Sequence, residues 1–175
     1  MRPFSRNCLV EANKYFEVAI FTAGNEWFAD KIIDFLDPDN SLIQHRYFRQ
    51  HTCQLSDDDP DMYVKDLSIF KGEVTIDDIL IVDNNIYSFA FNLENGIPIL
   101  NYLGDKKDDQ LLKIIKYLNL LKGSGNLRIE NERIQELKKM YDGCNWLNFI
   151  HYYDPDELSD DLEEPDFDND GITIK

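Results

Sequence analysis

Apolar residues recur at helical spacing over residues 6–16, where Cys8, Leu9, Ala12, Tyr15 and Phe16 gather on one face. The pattern then changes. Val18 to Phe21 is a continuous apolar run ending at Thr22-Ala23-Gly24, which predicts a parallel strand buried on both faces and the turn that follows it. Asn25 is placed to cap a helix through Phe28, Ile32, Ile33 and Leu36, and Asp37-Pro38 stops it. Residues 45–50 predict a second, shorter strand, and Ser56 to Pro60 a polar loop. Ile79 to Val82 is the clearest buried strand; Asp83-Asn84-Asn85 and a short helix near Tyr87 to Phe91 follow it, and residues 97–102 suggest another strand. Residues 106–121 form an amphipathic helix with Leu111, Leu112, Ile114, Ile115, Leu118 and Leu121 inward. Gly123-Ser124-Gly125 breaks it before a further helix from about Glu130 to Tyr141. Strands alternating with helices predict an α/β fold with a mostly parallel sheet, in which ligands bind at the carboxyl ends of strands. Thr22 and Asp83 both stand at such ends.

Charge refines the picture at one end only. Of the formal charge of −16, ten acidic residues lie between Asp154 and Asp170 with no basic residue among them, so the remainder carries only −6. That composition predicts a folded part up to about Tyr153 and a disordered acidic tail over 153–175. Such a surface repels nucleic-acid phosphate and anionic membrane, so neither is expected as a direct partner. No apolar run is long enough to span a bilayer. Cys8, Cys53 and Cys144 are odd in number and far apart, which predicts reduced thiols and an intracellular, nuclear or cytoplasmic, setting. Cys8 and Cys53 read as small core residues. His45, His51 and His151 show no metal-ligand spacing.

Three residue groups could carry chemistry. Thr22 can donate a hydroxyl to a phosphoryl oxygen, or simply close its turn. Lys65, beside Asp66, can neutralise an anion, or form a solvated surface pair. Asp83 and Asn84 offer two oxygen donors suited to a hard cation such as Mg²⁺, or build an Asx turn. Asp166, Asp168, Asp170 and Gly171 match the opening of an EF-hand loop, but its twelfth position would fall beyond Lys175, and chance in an Asp-rich tail accounts for the match.

In order and spacing, these groups and their neighbours resemble the FCP/SCP-like C-terminal-domain phosphatases of the haloacid dehalogenase superfamily. The likeness covers about residues 1–121 and rests on Arg2-Pro3, Tyr15-Phe16-Glu17-Val18, Phe21-Thr22-Ala23 and Leu36-Asp37-Pro38. Tyr47-Phe48-Arg49, Tyr63-Val64-Lys65-Asp66-Leu67-Ser68, Ile81-Val82-Asp83-Asn84 and Asn95-Gly96-Ile97-Pro98 complete it. The resemblance implies a Rossmann-like phosphatase domain over 1–122, with 126–152 as a helical extension. It implies that Thr22 bonds a phosphoryl oxygen and that Lys65 neutralises the phosphoryl group. Asn84 matches a direct Mg²⁺ ligand, Asp83 the adjacent metal-site carboxylate, and Arg49 a substrate-peptide contact. Members with this site remove phosphate from phosphoserine or phosphothreonine in proteins, notably the RNA polymerase II tail, through an aspartyl-phosphate.

The family's nucleophile and general acid are the two aspartates of an Asp-x-Asp-x-Thr turn upstream of Thr22. Between Met1 and Ile20 the only acidic residues are Glu11 and Glu17. The expectation is therefore that the chain begins past that turn, holds Mg²⁺ weakly or not at all, and forms no phospho-enzyme. The same family segment is the central strand between those ending at Thr22 and Asp83. Without it, two unpaired apolar edges are expected, and with them self-association. Two other classes fit: a pseudophosphatase that binds without catalysis, like the similar domain in the mitochondrial import receptor, and an acidic protein whose tail binds basic partners.

Overall fold

The computed structural model describes residues 1–55, 62–72 and 74–140. The helices are α1 (Ser5–Asn13), α2 (Glu26–Leu36), α3 (Gln110–Leu121) and α4 (Leu127–Met140). The strands are β1 (Ala19–Phe21), β2 (His45–Tyr47), β3 (Cys53–Gln54), β4 (Tyr63–Val64), β5 (Ile81–Asp83) and β6 (Gly96–Pro98). The acidic stretch, Cys144, His151, the loop from Ser56 to Pro60 and the EF-hand-like run all lie outside the described residues.

The expected α/β character holds. β1 pairs with β2 and β5 with β6, both in parallel, while β3 and β4 form a short antiparallel pair. These are three separate pairs rather than one sheet. Among the described residues no strand lies against the second edge of β1 or of β5. The consequence is visible in burial. β1 and β5 read as strands covered on both faces, yet Ala19 is exposed, Ile20 and Phe21 are half-buried, and Val82 is 39% exposed. A strand with an open edge lacks the neighbour whose side chains would cover it.

Three other expectations are corrected. The strand over 45–50 stops at Tyr47, because the chain turns into a 3₁₀ segment at Arg49–His51, where the Phe48 N–H donates to the His51 ring at 2.9 Å. Cys53 is exposed rather than in the core: it sits in a two-residue strand whose sole ladder partner is β4. α3 begins at Gln110 rather than 106, since Asp105 and Asp108 accept the N–H groups of Lys107 and Gln110 and hold the preceding residues in turns.

The main core lies beneath β6. Cys8 of α1, Ile97 and Ile99, Ile114, Ile115, Tyr117 and Leu121 of α3, and Ile134 of α4 form one cluster. Burial first, and the nearby Glu11 second, push the Cys8 thiol up to about 12, so this cysteine packs as a neutral apolar group. Gly96 is obligatory at the start of β6, because a Cβ there would lie 2.1 Å from the Phe89 ring. Arg2 ties the N-terminus to the turn that precedes α3 through a two-pronged pair with Asp108 at 2.8 and 2.9 Å. A second cluster of Ala29, Ile33, Ile43 and Phe48 fixes α2 against β2. The opposite face of α2 stays uncovered: Trp27 is 68% exposed and Phe35 63%, with Phe28 and Ile32 between them.

α2 is anchored by a buried charge. Asp37, fully enclosed, accepts the N–H groups of Leu42 and Ile43 at 2.9 Å and of Ser41 at 3.1 Å. Burial by itself raises the carboxyl, but the three N–H donors and Arg6 outweigh it and hold the group below its ordinary 3.8. A carboxylate whose folded value is depressed stabilises the fold above the unfolded value and loses that contribution as pH falls through the folded one. Asp37→Ala is expected to cost about 2–3 kcal/mol at neutral pH, since three backbone donors lose their acceptor. Denaturant midpoints at pH 7 and pH 3 test this: the gap between wild type and variant should narrow at the lower pH. An equal gap at both would place the stabilisation elsewhere.

Candidate active site

β5 ends where its side chains become polar, and the parallel partner β6 carries the register past that point through the Ile99 N–H, which donates to the Asp83 carbonyl at 3.0 Å. One carboxylate oxygen of Asp83 accepts the Asn85 N–H at 2.7 Å, an Asx turn that bends the chain away from the strand. The other oxygen is ion-paired with Lys65 Nζ. Both side chains are mostly enclosed, 12% and 10% exposed.

Lys65 arrives from a different element. Val64 of β4 has no exposure, so the following residue is held at the wall of the core. The Lys65 N–H donates to the Ser88 carbonyl at 2.7 Å, and the Leu67 N–H to the Asn92 side chain at 3.0 Å. Asp66 caps the next turn by accepting the Ser68 N–H and hydroxyl, both at 2.8 Å. The sequence alternative of a solvated Lys65–Asp66 pair is thus replaced: Asp66 serves the backbone, and the lysine reaches across to Asp83. Asn84 is exposed beside it. Its Nδ2 donates to Asn101 Oδ1 at 2.8 Å, and its own carbonyl oxygen makes no hydrogen bond among the described residues.

Thr22 closes its own turn. Its N–H continues the β1–β2 ladder to the Tyr47 carbonyl at 2.9 Å, and its hydroxyl accepts the Gly24 N–H at 3.0 Å. Among the described residues Thr22 makes no hydrogen bond to Lys65, Asp83 or Asn84. Arg49 braces the same turn, with Nε donating to the Ala23 carbonyl at 2.7 Å. Its guanidinium lies over the Tyr63 ring, 4.9 Å from the centroid, so it links the Thr22 turn to the strand that presents Lys65. Phe70 supplies a second link, 4.9 Å from Tyr47 and 6.3 Å from Phe21 between ring centroids. The structure therefore joins Lys65 to Asp83 directly, keeps Asn84 beside them only as the next residue in the chain, with its side chain on Asn101, and links Thr22 and Arg49 toward them through aromatic contacts. Sequence reasoning missed two participants, Asn101 and the ring of Tyr63. The available signal for Asn101 was a polar side chain closing the apolar run 97–100.

The donors here are hard oxygens. One carboxylate and one amide oxygen suit Mg²⁺, which keeps several waters and takes few protein ligands beside phosphate. Among the described residues no group of three or more His, Cys, Asp or Glu side chains could hold a metal. A cation here would rest on Asp83 and Asn84 together with water or substrate oxygens, and it would supply positive charge opposite Lys65.

A lysine–carboxylate pair thus stands at the carboxyl end of a strand in a parallel pair, the place where open α/β folds bind ligands. Residues 1–128 match the family of NLI interacting factor-like phosphatases, and the chain belongs to it. It is 36% identical over 152 residues to CTD small phosphatase-like protein 3 of Caenorhabditis elegans, covering 86% of this chain and 50% of that protein. It is 36% identical over 120 residues to Nuclear envelope morphology protein 1 of Schizosaccharomyces pombe, covering 69% and 24%. A solved structure of an essential RNA polymerase II CTD phosphatase is 19% identical with a TM-score of 0.49, covering 78% of this chain and 38% of that one. The chain spans half or less of the length of these proteins.

The Lys65–Asp83 pair has a measurable signature. Lys65→Met leaves an enclosed carboxylate without its cation, and a loss of about 1–3 kcal/mol in unfolding free energy is expected. In a double-mutant cycle with Asp83→Leu, the two losses should couple by about 1–2 kcal/mol. Strictly additive losses would show that the two side chains do not interact in solution.

Proposed function

We propose that this domain is the phosphate-binding part of an FCP/SCP-type site for phosphoserine or phosphothreonine in proteins, the RNA polymerase II tail being the model substrate. The single observation that carries this reading is Lys65 ion-paired with Asp83 at the carboxyl end of β5, with Asn84 the next residue in the chain. Lys65 takes the phosphoryl charge, Thr22 donates its hydroxyl, and Asp83 and Asn84 hold Mg²⁺. Arg49 contacts the peptide. The phosphatase domain spans 1–122 and is followed by a helical extension, of which α4 (Leu127–Met140) is described; its expected continuation to 152 lies outside the described residues. Nuclear-envelope names among the relatives favour a nuclear or cytoplasmic setting. Among the described residues no helix is long and apolar enough to cross a membrane.

Hydrolysis through an aspartyl-phosphate needs a carboxylate nucleophile and a proton donor, and residues 1–175 contain no Asp-x-Asp-x-Thr turn. The polypeptide of these residues therefore binds phosphate and does not turn it over. Inorganic phosphate with Mg²⁺ at millimolar concentration should shift the NMR resonances of Thr22, Lys65 and Asn84 together. Hydrolysis of p-nitrophenyl phosphate should not exceed that of a Lys65→Ala control. Shifts confined to the acidic tail would sink the binding reading, and turnover that Lys65→Ala abolishes would sink the inactive one.

The open edges of β1 and β5 and the uncovered Trp27, Phe28, Ile32 and Phe35 face of α2 support self-association of the isolated polypeptide. Sedimentation velocity should show mass rising with concentration, and Trp27→Asp with Phe35→Asp should lower it. A monodisperse monomer at all concentrations would dismiss this.

A further inference from the structure

We infer that His51 is a positioning residue for Arg49, a catch that holds the Arg49 turn while the imidazole is neutral and releases it when the ring takes a second proton. The ring closes the turn from its far end: Nδ1 of His51 accepts the Phe48 N–H at 2.9 Å. This is the reciprocal half of a capping box, in which the third residue of a turn reaches back to the N–H of its cap. The donor is a main-chain N–H, and its direction is set because the Phe48 side chain is buried in the α2 cluster. The ring atom that faces it must therefore be an acceptor. Neutral imidazole has one such nitrogen, so the other, Nε2, carries the proton.

What the catch holds is the base of Arg49. The Arg49 N–H donates to the Gly24 carbonyl at 3.1 Å and its Nε to the Ala23 carbonyl at 2.7 Å, and its guanidinium lies over Tyr63. The same short turn therefore positions both the backbone and the side chain that brace the Thr22 loop. His51 is exposed, so protons reach it from solvent. A proton on Nδ1 sets two donors against each other, and the ring must swing out, leaving the Phe48 N–H without its acceptor. The titratable and charged groups around the ring are Tyr47, edge-on at 5.5 Å between centroids, and Arg49. His45 stacks on the same Tyr47 ring and pairs with Glu17, and Glu26 accepts the Gln50 amide at 2.7 Å. Among the described residues none of these carboxylates bonds the His51 ring, so no acid offsets the lost bond. The peptide contact given to Arg49 above would follow pH in the same way; that consequence rests on the earlier reading, whereas the catch rests on this geometry alone.

The test compares the ¹⁵N,¹³C-labelled 175-residue chain with its His51→Ala and His51→Gln variants by NMR. His51→Gln keeps an acceptor that reaches back to the Phe48 N–H but does not titrate. At neutral pH the ring nitrogens of the wild type should show the Nε2–H tautomer. Hydrogen exchange of the Phe48 N–H and the Arg49 Nε–H should be about 3- to 10-fold faster in His51→Ala, the value of one hydrogen bond, and restored in His51→Gln. On acidification through the imidazole range, about pH 7.5 to 5.5, both groups should lose protection in the wild type relative to His51→Gln at each pH. Intrinsic exchange of these groups slows in that direction, so a merely structural role for His51 gives no such crossing. An Nδ1–H tautomer, equal protection in wild type and His51→Ala, or parallel pH courses in wild type and His51→Gln would each overturn the inference.

Discussion

Asn131 of α4, with no exposure, donates to the carbonyls of Glu94 and Gly96 at 2.6 and 3.2 Å, while its oxygen accepts the Tyr117 hydroxyl of α3 at 2.6 Å. Gln135, one turn on, donates to the same Gly96 carbonyl at 2.7 Å. These bonds occupy carbonyls where β6 begins that would otherwise be orphaned beneath two helices, and each buried polar group left unpaired costs about 1–3 kcal/mol. They also fix where β6 starts. Gly96 then sets β6 against β5, since Phe89 fills the space of its missing side chain. A slip of one residue would turn Ile97 out of the core and move Asp83 to the other face of the sheet. The position of the Lys65–Asp83 pair is therefore decided by contacts on the far side of β6.

This dependence explains what the sequence made legible. The run from Ile79 to Val82 announces a strand because four consecutive apolar residues leave few alternatives, and β5 duly forms at Ile81–Asp83. The period of α3 predicts Ile114, Ile115 and Leu121 inside, and they are. It does not predict Tyr117, whose hydroxyl makes it look like a surface residue until Asn131 is seen to accept it. Asn131 itself reads as a weak helix former, and only the tertiary structure gives it two carbonyls to serve. Local polarity misleads in the other direction at Phe48, where an apolar continuation suggests more strand and the His51 ring draws the backbone into a turn.

The chemistry follows the same division. Thr22, Lys65, Asp83 and Asn84 stand out because each ends an apolar run, a local property. Which of them meet is a matter of register across 18 residues for Lys65 and Asp83 and 17 for Asn84 and Asn101, and no local pattern encodes it. Asp66, adjacent to Lys65 and of opposite charge, was the obvious local partner. It is instead committed to the N–H and hydroxyl of Ser68, because an Asx cap can form without bringing in any other part of the chain.

The site draws on two core clusters that α1 holds together. β1, β2 and α2 carry Thr22 and Arg49 on one core cluster, while β5 and the turns around it carry Lys65, Asp83 and Asn84 on others. At the site they meet through a two-residue antiparallel ladder between β3 and β4, the Arg49–Tyr63 stack, and the edge contacts of Phe70 with Phe21 and Tyr47. Behind it α1 bridges them, with Cys8 in the β6 cluster, Leu9 against the α2 cluster and Arg6 donating to the Leu36 carbonyl. The contacts at the site are worth of order 1 kcal/mol each, against the several that each core cluster supplies. Arg49 occupies the junction itself, held to the Thr22 turn through Ala23 and to the Lys65 strand through Tyr63. A change at Arg49 is therefore felt on both sides of that junction, through the turn as well as through the strand.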